Sequence, residues 1–147
     1  MTSGGRPANV RFYLDADVLG LAKVLANLRS DVTFPGDVGG TVHRRTRPPC
    51  PISGPEVLDT DWIPIVARAG WLIITRDSRI QERRAEVAAV RENAAKMVAL
   101  SGREAGSTWL QLELFMRQWR RIEPLAALTG PFIFAATRSG LRPVDLG

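Results

Sequence analysis

The chain is 147 residues long and 45% apolar, enough to build one ordinary domain with a real core and too apolar to read as disordered. Twenty basic against fifteen acidic residues give a net charge of +5, which favours a polyanionic partner, although the excess of arginine over lysine also follows from a GC-rich coding sequence. No apolar run is long enough to span a bilayer, the first residues lack a signal-peptide core, and Cys50 as sole cysteine excludes an intrachain disulfide, so the expectation is a cytoplasmic protein without a membrane segment.

Residues 1–9 are expected to be a flexible tail, with one domain over 10–147. Val10–Leu14 reads as a strand, closed by Asp15. Asp17 is placed to cap a helix whose apolar positions Val18, Leu21, Ala22, Leu25 and Leu28 repeat at helical spacing. Val32-Thr33-Phe34 is a short second strand. Residues 35–58 hold five prolines, four glycines and the cations His43, Arg44, Arg45 and Arg47, and predict a long loop without regular structure. Asp59-Thr60-Asp61 opens a helix that tolerates Pro64 in its first turn and ends at Gly70. Trp71–Thr75 is a continuous apolar run, as in a strand buried on both faces, and Asp77 follows it. Ser78–Asn93 reads as helical, with Ser78 and Gln81 able to form a capping box. Met97–Leu100 is a strand. Ser107 caps a helix running to Ile122, and Pro131–Ala136 is the last clear strand. Strands alternating with helices predict an α/β fold: a single three-layer α/β/α domain on a central, mainly parallel sheet.

In such sheets sites form beyond the carboxyl ends of the strands. Asp15 and Asp77 each end a strand there, and Asp61 opens the helix feeding the second. Asp17, Asp61 and Asp77 individually suit helix starts, where a carboxylate complements the dipole. Asp15 is harder to explain that way, because an unpaired carboxylate at the end of a buried strand is costly. Together they point to a hard, oxygen-preferring cation and hence to phosphoryl-transfer or phosphodiester chemistry. Asp59, further out in the loop, is a weaker choice than Asp61. His43, the sole histidine, reads as a solvent or substrate contact rather than a general base.

Phe12-Tyr13-Leu14-Asp15, then Asp61 before a helix, then Ile73-Ile74-Thr75-Arg76-Asp77, resembles the PIN-like nucleases over about Val10 to Leu100. The ending Gly130–Gly140 is similar to the branch that contains the VapC-type toxins of toxin–antitoxin pairs. The resemblance implies a metal-dependent ribonuclease in which Asp15, Asp61 and Asp77 bind Mg²⁺ or Mn²⁺ and RNA is cleaved. It also implies a cognate antitoxin as protein partner. Two departures stand out: Asp61 replaces the glutamate common at the helix position, and Ser78-Arg79-Ile80 carries no fourth acid after Asp77. Asp17 is the candidate fourth ligand.

Two rival readings compete. Leu14-Asp15-Ala16-Asp17-Val18 also resembles the haloacid-dehalogenase phosphatases, with Asp15 as nucleophile, Asp17 as general acid and Thr75 as strand-end hydroxyl. Lys23 and Lys96 are the only lysines available to support it. The third reading is a catalytically weak binding or assembly domain. The helix from Ser107 is apolar around much of its circumference, through Trp109, Leu110, Leu112, Leu114, Phe115, Met116 and Trp119, which suits either plain core packing or a homodimer or antitoxin surface. For RNA binding, Arg79, Arg83 and Arg84 lie just beyond Asp77, and Arg44, Arg45 and Arg47 give the long loop its charge.

Overall fold

The computed structural model describes residues 5–77 and 79–147. Its centre is a six-stranded sheet in the order β3-β2-β6-β7-β8-β9, in which only the last pair is antiparallel. The strands are β2 (Phe12–Leu14), β3 (Val32–Thr33), β6 (Leu72–Arg76), β7 (Lys96–Leu100), β8 (Phe132–Thr137) and β9 (Gly140–Pro143). Helices α1 (Leu19–Leu28), α4 (Thr108–Arg117) and α5 (Trp119–Ile122) pack on one face, and α2 (Asp59–Ala69) and α3 (Arg84–Glu92) on the other. The expected three-layer α/β/α fold is therefore present.

Strand alternation sorts the core between these layers. Phe12, Leu14, Leu72, Ile74, Val98 and Leu100 point to the α1/α4 side. Tyr13, Ile73, Met97 and Ala99 point to the α2/α3 side, against Trp62, Ile63, Val66, Val87 and Val90. All three residues of β2 are fully buried, which explains why so short a strand holds the centre of the sheet. The chain leaves β2 through α1 to β3 on one side. It then crosses back through α2 to β6 on the other side. The switch point of the sheet thus lies between the carboxyl ends of β2 and β6.

Several local expectations change. Residues 6–8 are not a free tail: β1 (Arg6–Pro7) pairs in parallel with β5, and the Ala8 N–H donates to the Thr46 carbonyl. The long loop is also ordered. It contains the antiparallel hairpin β4 (Gly40–Val42) and β5 (Arg45–Arg47), joined by His43 and Arg44. Both linking residues have positive φ, where a two-residue turn ordinarily takes Asn-Gly. That sequence hides the hairpin from a pattern reading. Asp15, rather than Asp17, caps the turn Ala16–Val18, and α1 starts only at Leu19. The helix expected over 78–93 begins as a short 3-10 turn, Ile80–Glu82, before α3; the Ser78 capping box lies outside the described residues. The Ser107 cap forms, its hydroxyl accepting from the Leu110 N–H, but the helix breaks at Gln118. The buried Gln118 side chain instead donates to the carbonyls of Thr137 and Arg138. Gly70 closes α2 at φ 78°, in the left-handed conformation expected of it.

Candidate acidic site at the sheet switch point

Asp15 follows β2 directly. Its backbone N–H donates to the Ile74 carbonyl of β6, and its Oδ1 accepts from the Ala16 N–H at 2.6 Å. Asp15 shares the strand face of Tyr13, which looks toward α2 and α3. Asp17 reaches across to β6, where its Oδ2 accepts from Thr75 Oγ1 at 2.7 Å and from the Arg76 N–H at 3.2 Å. Asp77 lies two residues beyond Thr75 on the same face. Its Oδ1 accepts from the Arg79 N–H at 2.8 Å, and its Oδ2 pairs with Arg83 Nε at 3.0 Å. The Ser101 hydroxyl donates to the Asp77 carbonyl and ties that strand end to β7.

Two further acids join these three. Asp59 opens α2, and its Oδ1 accepts from the indole N–H of Trp62 at 2.9 Å. Trp62 is buried and its ring packs on Tyr13, 4.9 Å between centroids. The indole is therefore fixed by the core while it fixes Asp59. Glu86, in the first turn of α3, is half-buried in the field of Asp59, Asp15, Asp17 and Asp77.

The electrostatics of the group are those of carboxylates crowded without enough cations. Burial first, then Asp17 and Asp59, pushes Asp15 up to about 7 against its single backbone bond. Burial, followed by the charges of the other four acids, pushes Glu86 up to about 8. Asp17 is also raised, first by partial loss of water at its carboxylate; the Thr75 and Arg76 bonds oppose this, and Asp77 and Asp59 reinforce it. Beneath them the Tyr13 hydroxyl is the one buried side-chain polar atom without a partner among the described residues. Leaving it so costs about 1–3 kcal/mol. Burial and the neighbouring acids raise its pKa, so it stays protonated and can serve only as a neutral group under the carboxylates.

The sequence-derived candidates divide cleanly. Asp15, Asp17 and Asp77 come together. Asp61 does not join them: like Asp59 it is exposed, but it sits about 200° around α2 from Asp59. The charges felt by Asp15, Asp17 and Glu86 include that of Asp59 instead. Asp59 looked too far out in the loop, yet it is the first residue of α2. Glu86 is not among the sequence-derived candidates. Its signal was available in its spacing, nine residues after Asp77 in the turn-and-helix that returns over the same sheet face.

Of the arginines, Arg83 and Arg79 are at the site, the latter through its backbone. Arg84 lines a groove with Gln81, Arg91 and Asp145 instead. Arg47 is withdrawn from any ligand: it is buried, and its Nε and Nη2 donate to Asp37 at 2.6 and 2.9 Å. His43 and Arg45 line a groove with Asn9, Arg11, Leu28 and Arg29, at the amino end of β2 and the carboxyl end of α1. That is the opposite end of the sheet from Asp15, so the long loop does not wall the acidic site with these residues. Arg44 is exposed at the hairpin turn.

The donor chemistry suits a hard divalent cation. The groups are all carboxylates, they repel one another, and among the described residues Arg83 is the one cation paired with them. Among the described residues no three carboxylate, imidazole or thiol groups are arranged to hold an ion by themselves. Mg²⁺ characteristically takes one or two carboxylates and completes its shell with water and phosphate oxygens.

Residues 10–102 match the family described as PIN like domain. The match spans β2 through β7 and covers more than half the chain, so the chain belongs to the PIN-like domain family. PIN-like domains are generally metal-dependent nucleases. No curated protein and no solved structure matches the chain. Among the described residues no helix is long and apolar enough to cross a membrane.

Proposed function

We propose that the protein is a Mg²⁺- or Mn²⁺-dependent endoribonuclease acting at the carboxyl ends of β2 and β6. The observation that carries this reading is the crowd of under-compensated carboxylates at the switch point, inside the region that matches the PIN-like domain family. Asp15 and Asp77 are the proposed principal ligands, with Asp17, Asp59 and Glu86 completing the negative field, directly or through water. A bound ion there supplies an activated water and neutralises charge on the phosphate. Asp15 is held by its strand and by the Ala16 N–H. Asp17 is held by Thr75, and Asp59 by Trp62. Each carboxylate is thus oriented before any ligand arrives. Arg83, paired with Asp77 yet 63% exposed, is the cation at the site that can reach a substrate phosphate once a metal takes Asp77.

The phosphatase reading loses its supports. Thr75 is committed to Asp17, and Lys96 lies at the amino end of β7 with its Nζ donating to the Ala126 carbonyl. We further propose that the protein is the toxin of a toxin–antitoxin pair, with an antitoxin as partner. The exposed Trp109 and Met116 on α4 are a surface for that partner or for a second copy.

The test is cleavage of single-stranded RNA with Mg²⁺ or Mn²⁺, with chelator, and by Asp15→Asn and Asp77→Asn. Cleavage that needs the metal and both aspartates is expected. Undiminished cleavage by Asp15→Asn would place the chemistry elsewhere. For the toxin role, expression of the parent alone should slow growth and expression of Asp15→Asn should not.

A further inference from the structure

At the far end of β2 lies a groove of about 470 Å³ lined by Pro7, Asn9, Arg11, Leu28, Arg29, Ser30, Asp31, His43 and Arg45. Three guanidinium groups face it against few acids. Asp31 accepts from Nε and Nη2 of both Arg11 and Arg29, and Glu123 takes a further bond from Arg11 Nη2. These bonds lock the two guanidiniums in place but leave Nη1 of each unused among the described residues. Arg29 is further fixed over the Trp119 ring, 4.5 Å from its centroid. Arg45 makes no side-chain hydrogen bond or ion pair among the described residues, so its donors are open to a ligand. His43 Nε2 lies 3.2 Å from the Leu28 carbonyl. Since that oxygen can only accept, Nε2 carries the hydrogen and Nδ1 remains available. The turn that presents His43 and Arg45 is strained, with His43 at φ 51° and Arg44 at φ 62°. Backbone held this way costs about 1–3 kcal/mol per residue, and such residues cluster where ligands bind.

We infer that this groove is a second anion site, which takes a phosphate of the RNA backbone remote from the acidic cluster. The Nη1 groups of the two positioned guanidiniums and the whole Arg45 guanidinium are the donors left for a phosphate oxygen, and only Arg45 has to be ordered on binding. Asp15 and Arg11 flank opposite ends of β2, so one RNA chain reaching both sites must run around the outside of the domain and present different phosphates to each. The inference rests on the ribonuclease reading for its ligand, but not for the groove.

The experiment uses the full chain carrying Asp15→Asn, so that RNA is not consumed. Affinity for a short single-stranded RNA is measured against salt, with and without Arg45→Ala, His43→Ala, or both. The expected result is at least a threefold loss with Arg45→Ala and a log–log salt slope smaller by about 0.7, the value for one phosphate contact on a single strand. In parallel, inorganic phosphate is titrated while the backbone amides of His43 and Arg45 are followed by NMR, and shifts at both are expected. Equal RNA affinity and slope in parent and variants overturns the inference, including where phosphate alone binds, which would make this a small-anion site. Loss of stability with unchanged RNA binding in His43→Ala also overturns it, by reducing His43 to a cap on α1. Metal-dependent RNA cleavage in the Asp15 parent is scored separately, so failure of the nuclease reading and failure of the groove are told apart.

Discussion

Two groups of aspartates in this chain meet opposite fates. Asp31 and Asp37 are each matched to arginines: Asp31 by Arg11 and Arg29, Asp37 by the buried Arg47. Despite the opposing cost of burial, these partners hold both pKa values below the ordinary carboxylate range. Asp15 and Asp17 have no arginine, and with Glu86 they are pushed upward. The same residue type thus fastens the hairpin and the β3 edge in one place and accumulates unrelieved charge in the other. A fold that pairs its structural acids so completely leaves the unpaired ones to be explained by a ligand.

The sharpest way to break this contrast is Asp15→Asn. It removes a charge that the folded state disfavours, so stability in metal-free buffer should hold or rise. RNA cleavage should fall by about a hundredfold or more, equivalent to ~2.7 kcal/mol or more in the barrier. Thermal melting and single-turnover cleavage on one preparation check both. A large loss of stability would mean that Asp15 is a structural acid like Asp37.

Arg47→Ala should behave in the reverse sense. It strands Asp37 in a buried position, supported only by the Gly39 N–H and Thr33 hydroxyl. Breaking a buried pair in this way costs about 3–5 kcal/mol. Urea unfolding should show that loss, while metal affinity measured by calorimetry on the folded protein stays within twofold.

The pH dependence separates the groups again. An acid whose pKa is raised on folding destabilises the native state as it ionises. Glu86, raised from 4.5 to about 8, and Asp15, raised from 3.8 to about 7, therefore take stability away as pH climbs between those limits. Asp31 and Asp37, lowered on folding, contribute stability at neutral pH and lose it as acid protonates them. Metal-free protein should become less stable from pH 5 to pH 8, and Glu86→Gln should flatten the decline. Saturating Mg²⁺ should flatten it too. A parent curve that rises across that range would refute the assignment.

The legible part of the fold was the part written in periodicity. The apolar runs at 10–14 and 71–75 and the helical spacing around Leu21 and Leu25 located the sheet centre and α1, and hence Asp15 and Asp77. The hairpin was not legible, because His43-Arg44 adopts a turn whose usual signature is Asn-Gly and because β1 is only two residues long. β9 is missed for a similar reason: Gly140-Leu141-Arg142-Pro143 has no alternation, and its pairing with β8 supplies what its composition lacks. Arg47 read as an RNA-contacting loop arginine, since nothing local announces an ion pair with a residue ten positions earlier. Glu86 carried a signal in its spacing from Asp77, but one that becomes readable only once α3 is known to return over that face of the sheet.

The smallest effect, and the most discriminating about geometry, is expected at the start of α2. Asp59 and Asp61 are two residues apart and carry the same charge, so a purely long-range field treats them almost alike. Direction distinguishes them. Both are exposed, but Asp59 is pinned by the Trp62 indole and is among the charges that raise Asp15, Asp17 and Glu86, whereas Asp61 lies on another side of the helix. Solvent screens an exposed charge more strongly the farther it lies from the group it acts on. Asp61→Asn should therefore change Mn²⁺ affinity by less than about twofold, while Asp59→Asn should weaken it by about tenfold, the usual scale for supporting groups around a metal. Trp62→Phe keeps most of the packing on Tyr13 but deletes the N–H, and should reproduce part of the Asp59→Asn loss. If Asp61→Asn weakens Mn²⁺ binding as much as Asp59→Asn does, α2 must turn its other face to the site when the ion binds.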